Sequence, residues 1–328
     1  MRVLVTGAAG FVGSKLVSSL AAERFIKISG RGTDAERIDE ILAFDILKPS
    51  VHANGPRIMS RAGDLSNRAE ADAIIGDGVD LVVHLAAVVS GQAEEDFDLG
   101  YRVNLDGTRN LLEACRRLAK PPVFIFASSG AAYGGALPDV VPDNLRLTPT
   151  TSYGAQKVIG ELLVTDYSRK GFVDGRALRF PTIVVRPGAP NRALSSFASS
   201  IIREPLQGQK AICPVDDDVQ IFILSPRMLI RNIRHAIELP ASELGFDRAL
   251  TLPGIRVSAG QMIEALRQIA GDEVVARITR SPDPQVAKVV EGWPGYIEAA
   301  RARSLGFTAD NSMADIITAF IQDELGGA

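Results

Sequence analysis

A tyrosine and a lysine spaced four residues apart are the side chains of this sequence best placed for acid–base chemistry. They stand in Tyr153-Gly-Ala-Gln-Lys157, and a helix brings positions i and i+4 onto one face. A free tyrosine has a pKa of about 10 and is a poor base near neutral pH. A lysine ammonium about 4 Å away, together with a bound cation, would lower that pKa towards 7, although burial opposes the change. We therefore expect Tyr153 to act as a general base supported by Lys157.

Two serines end the strand-like run that precedes this helix. Ser128 and Ser129 follow the apolar residues 123–127, and ligands of open α/β sheets lie at the carboxyl ends of strands. A hydroxyl there would donate a hydrogen bond to a substrate oxygen as negative charge develops. A surface tyrosine, a solvated lysine and a capping serine are the structural alternative. Because all three residue types meet at one predicted strand end, the pattern favours a reactive site.

A glycine-rich segment at the start of the chain has the spacing of a dinucleotide-binding turn. It reads Thr6-Gly-Ala-Ala-Gly-Phe-Val-Gly13 and joins a short apolar strand to an amphipathic helix. The first glycines allow a tight turn and a close approach to a pyrophosphate, and the last one allows close helix–strand packing. A turn without a ligand is the alternative, which the strand and helix on either side disfavour. The predicted cofactor contacts here are Gly7, Gly10, Phe11, Val12 and Gly13.

Two acids follow later strands of the same predicted sheet. Asp45 would accept hydrogen bonds from both adenosine-ribose hydroxyls and repel a 2′-phosphate, which predicts NAD rather than NADP; the alternative is a turn residue without a ligand. Asp64 would meet the adenine amino group, or would simply be an acid near a helix amino terminus. His84 is predicted to be a core histidine, because no other residue at metal-ligand spacing accompanies it, and no metal site is expected. The remaining predicted cofactor contacts are Leu65, Leu85, Ala86, Ala87, Tyr153, Lys157 and Pro181.

These candidate residues need strands and helices in alternation to bring them together. Strands are predicted at 1–6, 41–44, 57–62, 81–85, 123–127 and 176–185, with helices at 11–22, 69–75, 104–118 and 153–169. Such alternation indicates an α/β fold with a doubly wound parallel sheet, the Rossmann architecture. We expect this domain at 1–180, with a return segment at about 219–239. A smaller, interleaved, mixed α/β substrate domain is expected at 181–328, with helices at 225–239, 258–271 and 313–325.

Composition excludes several classes of protein. With 46% hydrophobic and 23% charged residues the chain is globular rather than disordered, and a net charge of −3 offers no basic field for nucleic acid. No apolar stretch approaches the roughly 20 residues of a membrane helix, and no signal-like segment opens the sequence. Cys115 and Cys213 lie far apart, which fits a reducing compartment. We expect a cytoplasmic protein that binds small molecules, without a nucleic-acid or membrane partner.

Seven motifs together resemble the extended short-chain dehydrogenases/reductases, the NAD-dependent epimerase/dehydratase family. They are TGxxGFxG at 6–13, Asp45, Gly-Asp-Leu at 63–65, His-Leu-Ala-Ala at 84–87, Asn-Leu-Asp-Gly-Thr at 104–108, Ser-Ser-xxx-Tyr-Gly at 128–134 and Tyr-xxx-Lys at 153–157. The resemblance implies Tyr153 as the base with Lys157 as its partner. It also implies Ser129 rather than Ser128, and Asn104 holding Lys157 through a water.

The same family resemblance implies a homodimer. In the family, two helices of each subunit form a four-helix bundle, and here these helices are predicted at 104–118 and 153–169. We expect their exposed faces to carry Leu111, Leu162 and Leu163. The alternative is that these leucines pack against the protein's own sheet.

A narrower group within the family shares further segments with this chain. Residues 88–100, 168–176, 186–199 and 292–295 resemble dehydrogenases that oxidise the 2-hydroxyl of a four-carbon sugar acid with NAD. An aldonate needs a cation for its carboxylate, and a guanidinium suits it well. Arg186 or Arg192 is predicted to bind that carboxylate, and a salt bridge is the alternative for each. Besides Ser129 and Tyr153, Ser90 and Ser195 are predicted to bind the substrate.

Two other functions compete with this interpretation. A nucleotide-sugar epimerase or dehydratase would use the same residues with a tightly held NAD. A dehydratase also needs an acid beside its serine for elimination, where this chain has Gly130 and Ala131. A non-catalytic redox sensor would keep the fold and cofactor but tends to lose the tyrosine or the lysine, and both are present here.

Overall fold

The computed structural model describes residues 1–32, 34–50, 55–76, 78–188, 195–290 and 292–326. The strands are β1 (Arg2–Thr6), β2 (Phe25–Ile26), β3 (Glu36–Arg37), β4 (Glu40–Asp45), β5 (Arg57–Ala62), β6 (Leu81–His84), β7 (Val123–Ser129), β8 (Asp174–Phe180), β9 (Thr182–Ile183), β10 (Ala211–Cys213), β11 (Gln220–Leu224), β12 (Ala249–Thr251), β13 (Ile255–Ser258) and β14 (Ile278–Arg280).

The α-helices are α1 (Phe11–Glu23), α2 (Arg68–Ile75), α3 (Ser90–Glu95), α4 (Phe97–Gly100), α5 (Gly107–Arg116), α6 (Ser152–Arg169), α7 (Ser196–Leu206), α8 (Pro226–Glu238), α9 (Ala241–Leu244), α10 (Ala259–Ala270), α11 (Asp272–Val275), α12 (Pro284–Val290), α13 (Ala300–Ser304) and α14 (Met313–Glu324). A π-helical turn, Tyr101–Asp106, leads into α5. No helix in the described part of the chain has the length and apolar character needed to cross a membrane.

Seven strands form one sheet in the order β5-β4-β1-β6-β7-β8-β12. The pairs β1–β4, β4–β5, β1–β6 and β6–β7 are parallel. The chain builds outward from β1 in one direction and then resumes on its other side at β6, so the order reverses between these strands. Ligands of doubly wound sheets bind at this switch point. The predicted α/β fold is confirmed.

Unbroken apolar runs make the central strands, because both of their faces are covered. Leu4, Val82 and Phe124 are fully or almost fully buried and belong to one hydrophobic core. The same core contains Leu111 of α5, which is 0% exposed, so its predicted exposure is wrong. Leu111 lies on the face of α5 that packs inward, whereas Leu162 of α6 is 65% exposed and Leu163 packs partly against the core.

The chain divides into two compact units. Unit 1 comprises Met1–Ser129, Thr151–Arg179 and Ile230–Leu250, and unit 2 comprises Gly130–Thr150, Phe180–Leu229 and Thr251–Ala328. The expected return segment at 219–239 is divided between the units, because its residues 230–239 belong to unit 1 and its residues 219–229 belong to unit 2. The strand in this segment, β11, pairs with β9 and β13 in a three-stranded sheet, and β12 is the strand that joins the large sheet. Pairing in the small sheet satisfies the backbone of β11 on both sides.

Unit 2 has a hydrophobic core of its own. Helices α7, α10 and α14 contribute buried residues such as Ile201, Met262 and Phe320, and Ile223 of β11 lies in the same core. Helix α10 begins with a capping box, in which Ser258 and Gln261 each bond the other's backbone amide. A second small sheet pairs β10 with β14.

The long connection at 24–39 lies at the amino ends of the sheet strands. Strands β2 and β3 pair there, and Arg31 Nη1 donates to Asp80 Oδ1 at 2.5 Å. With Lys120 and Asp174, this connection lines a cavity of about 610 Å³. Dinucleotides bind at the opposite, carboxyl ends of such strands, so the connection is not part of the predicted cofactor site.

Candidate active site

The glycine-rich turn between β1 and α1 is shaped by backbone contacts that leave no room for side chains. Gly7 has a φ of 71°, and a Cβ there would lie 2.6 Å from the amide nitrogen of Ala86. A Cβ on Gly13 would lie 2.2 Å from the carbonyl oxygen of Gly7. Gly10 precedes α1 without a side-chain cap, so the first amides of the helix have no intrahelical or capping partner. Such amides are suited to an anion, and the turn therefore fits a pyrophosphate.

Asp45 is held against this turn. It is the last residue of β4, and its Oδ2 accepts a hydrogen bond from the amide of Ala9 at 2.9 Å. The carboxylate thus stands at the carboxyl edge of the sheet, beside the glycines, where a ribose hydroxyl would need an acceptor.

Asp64 has a local structural contact as well. Its Oδ1 accepts from the amide of Ser66 at 2.8 Å, and Leu65 is buried. Asn67, rather than Asp64, caps α2 by accepting from the amide of Ala69. Asp64 is therefore a turn residue before the helix, and its predicted contact with adenine stays a prediction.

The segment after β6 runs beside the glycine turn. The amide of Leu85 donates to Thr6 O at 3.2 Å, and the amide of Ala86 donates to Thr6 Oγ1 at 3.3 Å. The backbone of Leu85 and Ala86 lies where a side chain on Gly7 would point, so this segment packs directly against the glycine turn. Leu85, Ala86 and Ala87 therefore border the predicted cofactor site.

His84 is a hydrogen-bonded core residue. Its Nδ1 lies 2.7 Å from Thr6 Oγ1 and its Nε2 lies 2.9 Å from Thr108 Oγ1, and the ring is buried. Burial and, to a smaller extent, the charge of Lys157 lower the pKa of His84 to about 3. The prediction of a core histidine is confirmed. Within the described ranges, no group of histidine, cysteine and acidic residues is arranged to hold a metal ion.

Tyr153, Ser129 and Lys157 meet at the end of β7. Helix α6 begins at Ser152 after Thr151, whose side chain accepts from the amide of Gly154. The hydroxyls of Tyr153 and Ser129 share a hydrogen bond. Lys157 Nζ donates to Ala127 O at 2.8 Å and lies 5.4 Å from the centre of the Tyr153 ring. The helix and the strand therefore bring together the three side chains that the sequence suggested.

Burial dominates the proton affinities of this group. It raises the pKa of Tyr153 to about 12, and the hydrogen bond with Ser129 opposes that change. It lowers the pKa of Lys157 to about 8, against the charge of Glu161. In the protein chain by itself the pKa of Tyr153 thus lies above its usual value, because a phenolate shielded from water loses hydration, and the expected shift towards 7 with a bound cation stays a prediction.

Asn104 lies in the π-helical turn and bridges two elements. Its Oδ1 accepts from the amide of Val88 at 2.8 Å, and its Nδ2 donates to Val88 O at 3.1 Å and to Gln156 Oε1 at 2.7 Å. It thereby ties the segment after β6 to α6. Its predicted water-mediated contact with Lys157 stays a prediction. Sequence reasoning missed Gln156, although its place between Tyr153 and Lys157 was a signal.

Sequence reasoning also missed an ion pair beside the tyrosine and lysine. Glu161 of α6 binds Arg179 of β8 and accepts a hydrogen bond from Ser128 Oγ. The available signal was a glutamate four residues after Lys157, which a helix places on the same face.

The substrate candidates divide between the two units. Ser90 is the first residue of α3 in unit 1, and Ser195 precedes α7 in unit 2 without a capping bond from its side chain. Pro181 is buried between β8 and β9. Arg192 lies outside the described residues.

Arg186 belongs to unit 2 and has an unusual environment. Its amide donates to Ser199 Oγ at 3.2 Å, and its carbonyl accepts from Arg203 Nη1 at 2.6 Å. Burial lowers the pKa of the Arg186 guanidinium, and the charge of Arg203 lowers it further. In the part of the chain that the structure describes, no acidic side chain pairs with this guanidinium.

Comparison with known proteins places this site in a family. The model of the NAD dependent epimerase/dehydratase family matches residues 3–223. The chain belongs to that family. The resemblance seen in the motifs is thereby confirmed, as is the prediction of an NAD-dependent enzyme, and membership implies a nicotinamide cofactor.

Relatives and one solved structure match this family member over nearly its whole length. It is 48% identical to a D-erythronate dehydrogenase of Cupriavidus necator, covering 98% of each chain. It is 40% identical to a D-erythronate dehydrogenase of Haemophilus influenzae, covering 99% of this chain and 100% of the relative. A crystal structure named as a nucleoside-diphosphate-sugar epimerase from Agrobacterium tumefaciens has a TM-score of 0.94 and 43% identity, covering 100% of this chain and 95% of that one.

Proposed function

We propose that this protein is an NAD-dependent dehydrogenase of a small sugar acid, and that it oxidises the 2-hydroxyl of D-erythronate to give 2-oxo-tetronate. The observation that carries the proposal is the half-buried Tyr153, hydrogen-bonded to Ser129 with Lys157 beside its ring. Two relatives at 48% and 40% identity, both named D-erythronate dehydrogenase, support the choice of substrate.

The residues at the carboxyl edge of the large sheet fit a dinucleotide. Gly7, Gly10, Phe11, Val12 and Gly13 would hold the pyrophosphate at the start of α1, where the Gly7 cradle has no room for a Cβ. When bound, a nicotinamide ring supplies the acceptor for the hydride released from C2 of the substrate.

The other predicted cofactor contacts would distinguish the ends of the dinucleotide. Asp45 would accept both hydroxyls of the adenosine ribose, and its charge favours NAD over NADP. Asp64 and Leu65 would border the adenine. Leu85, Ala86, Ala87 and Pro181 complete the proposed set.

Tyr153 has the central role in proton transfer. Its phenolic oxygen takes the proton of the substrate 2-hydroxyl, while Ser129 donates a hydrogen bond to that substrate oxygen. Because burial raises the pKa of Tyr153 to about 12, a nearby positive charge must stabilise the phenolate. Lys157 supplies that charge, and Asn104 would hold the segment beside it in place.

The carboxylate of the substrate requires a cation. Arg186 suits this role because, in the described part of the chain, no acidic side chain pairs with its half-buried guanidinium, and Arg192 is the other candidate. Ser90 and Ser195 would bind substrate hydroxyls. We expect R186A or R192A to raise KM for the sugar acid at least tenfold, with a smaller change in kcat. An unchanged KM in both variants contradicts the assignment.

A nucleotide-sugar epimerase is the second candidate, favoured by the name of the structural relative with a TM-score of 0.94. Such an enzyme regenerates its cofactor in each cycle and gives no net NADH. The absence of an acid at Gly130 and Ala131 disfavours a dehydratase.

The deciding experiment follows NADH absorbance at about pH 8 with NAD and a panel of aldonates, including D-erythronate and threonate. NADP serves as the cofactor control, and UDP-sugars are incubated in parallel. We expect NADH with D-erythronate and NAD. If no acid gives NADH while a UDP-sugar is altered, the dehydrogenase proposal is wrong and the epimerase is supported.

We also propose a homodimer that uses α5 and α6. The family resemblance supports it, and Leu162 of α6 is an apolar side chain that is 65% exposed in the single chain. A monomer at micromolar concentration in size-exclusion chromatography with light scattering would contradict this proposal.

A further inference from the structure

A buried ion pair lies one helical turn beyond Lys157. Arg179 Nε donates to Glu161 Oε1 at 2.9 Å and Arg179 Nη2 donates to Glu161 Oε2 at 2.7 Å. The Arg179 side chain is only 11% exposed and the Glu161 side chain only 4%. Ser128 Oγ donates to Glu161 Oε1 as well. One carboxylate therefore joins α6, β7 and β8.

Stability alone is a weak reason for such a pair. Burying two charges costs hydration that their attraction repays only in part, and apolar residues often serve as well. The position of this pair is more informative. Glu161 is four residues after Lys157 on α6, and its partner Ser128 is the neighbour of Ser129 on β7. The pair thus adjoins both partners of Tyr153.

We propose that Glu161 is a positioning residue, which keeps Lys157 charged beside Tyr153 and holds the end of β7 in place against α6. This inference rests on the proposed function, since it concerns the acid–base chemistry of the same site. Arg179 acts through Glu161, by holding its carboxylate in one orientation.

Among the titratable groups around Lys157, Glu161 is the one that favours the protonated form of the lysine. Helix α6 contributes Tyr153 and Glu161, β6 contributes His84, and β8 contributes Arg179. Without cofactor and substrate, His84 is uncharged at neutral pH because its pKa is about 3, and Tyr153 keeps its proton because its pKa is about 12. Strand β7 offers only the carbonyl of Ala127 and hydroxyls. Among these groups, Glu161 is the one negative charge, and it opposes the burial that lowers the pKa of Lys157 to about 8.

The proposal predicts pH shifts of opposite sign in two variants. Glu161→Gln removes the attraction and leaves Arg179 as an added repulsion, so Lys157 loses its proton more easily. The alkaline limb of the kcat/KM profile for D-erythronate should move to lower pH by about one pH unit. Arg179→Gln leaves Glu161 unneutralised and should move the same limb to higher pH.

Two further variants make the test robust against misfolding. Glu161→Gln leaves the buried guanidinium of Arg179 without its partner and so lowers the stability of the protein. The double variant E161Q/R179Q is therefore measured as well, because it buries no unpaired charge. Its alkaline limb should lie between those of the single variants. Glu40→Gln is the matched control, because Glu40 pairs with Arg2 at the amino end of the sheet. It should lower Tm without moving the limb.

A readout without substrate separates this inference from the proposed function. The pKa of Lys157 in the folded protein, about 8, lies below its usual 10.5. The unfolded chain therefore binds more protons between these values, and the free energy of unfolding in urea rises with pH across that window. In E161Q the rise should begin at lower pH.

The outcomes are distinct. If wild-type protein forms no NADH from any sugar acid, the proposed function fails, and the unfolding curves still test the role of Glu161. If E161Q and R179Q lower Tm and kcat equally at every pH, with no shift of the alkaline limb or of the unfolding window, the pair is structural only and the inference is overturned.

Discussion

The glycine turn and the end of β7 lie on the same edge of one sheet and are built in different ways. At the turn, Gly7 and Gly13 have no room for side chains, and backbone amides are the proposed binding groups. At the end of β7, Tyr153 is half-buried and Lys157 is buried, and their pKa values depart from the usual range in opposite directions. Steric room for the backbone defines the turn, whereas the protonation states of buried or half-buried side chains define the second region.

The two regions also differ in how far apart their residues lie in the sequence. Residues 6–13 are contiguous, so their own backbone geometry forms most of the proposed anion site. The second region needs α6, β7 and β8 to pack before its charges interact. We therefore expect substitutions at the turn to act on binding, and substitutions near β7 to act on turnover and its pH dependence.

The largest effect should come from the phenol. Tyr153→Phe keeps the ring and removes the hydroxyl that takes the proton, so turnover of D-erythronate should fall at least about 1000-fold. NAD affinity, measured by calorimetry, should stay within about twofold of wild type. Retained turnover would contradict the assignment of Tyr153 as the base.

The next effect concerns space at the turn. Gly7→Ala places a Cβ 2.6 Å from the Ala86 amide at a φ of 71°, so the turn must move, and NAD affinity should fall about 100-fold. Gly30→Ala is the control, because Gly30 has a similar φ of 74° with nothing near its Cβ. It should cost about 1 kcal/mol of stability and leave NAD affinity unchanged. Equal effects of the two variants would show that backbone strain, rather than contact with Ala86, governs the turn.

The smallest effect should be on cofactor choice. Asp45→Asn keeps the shape and a hydrogen-bond acceptor but removes the charge that repels a 2′-phosphate. The ratio of kcat/KM for NAD over NADP should fall about tenfold. An unchanged ratio would leave Asp45 with a structural role, through its bonds to the amides of Ala9 and Leu47.

Most of the fold was predictable because its signals are local. Unbroken apolar runs predicted the central strands, and the predicted strand at 57–62 coincides with β5. Leu111 was misjudged because periodicity shows that a helix has an apolar face, whereas the sheet decides which face is covered. Strand β11 was expected in the domain of the large sheet, but its apolar residues suit either sheet. Only its pairing with β9 and β13 assigns it to the small one.

The sequence by itself determined the chemical groups of this protein. The spacing of Tyr153 and Lys157, the glycines at 6–13 and the acid at Asp45 are visible without coordinates, because each is a short-range pattern. Only the tertiary structure decided the proton affinities and the Glu161–Arg179 pair. Burial and charge depend on residues that are distant in sequence, and their packing makes Tyr153 a weaker acid and Lys157 a weaker base than either is in water.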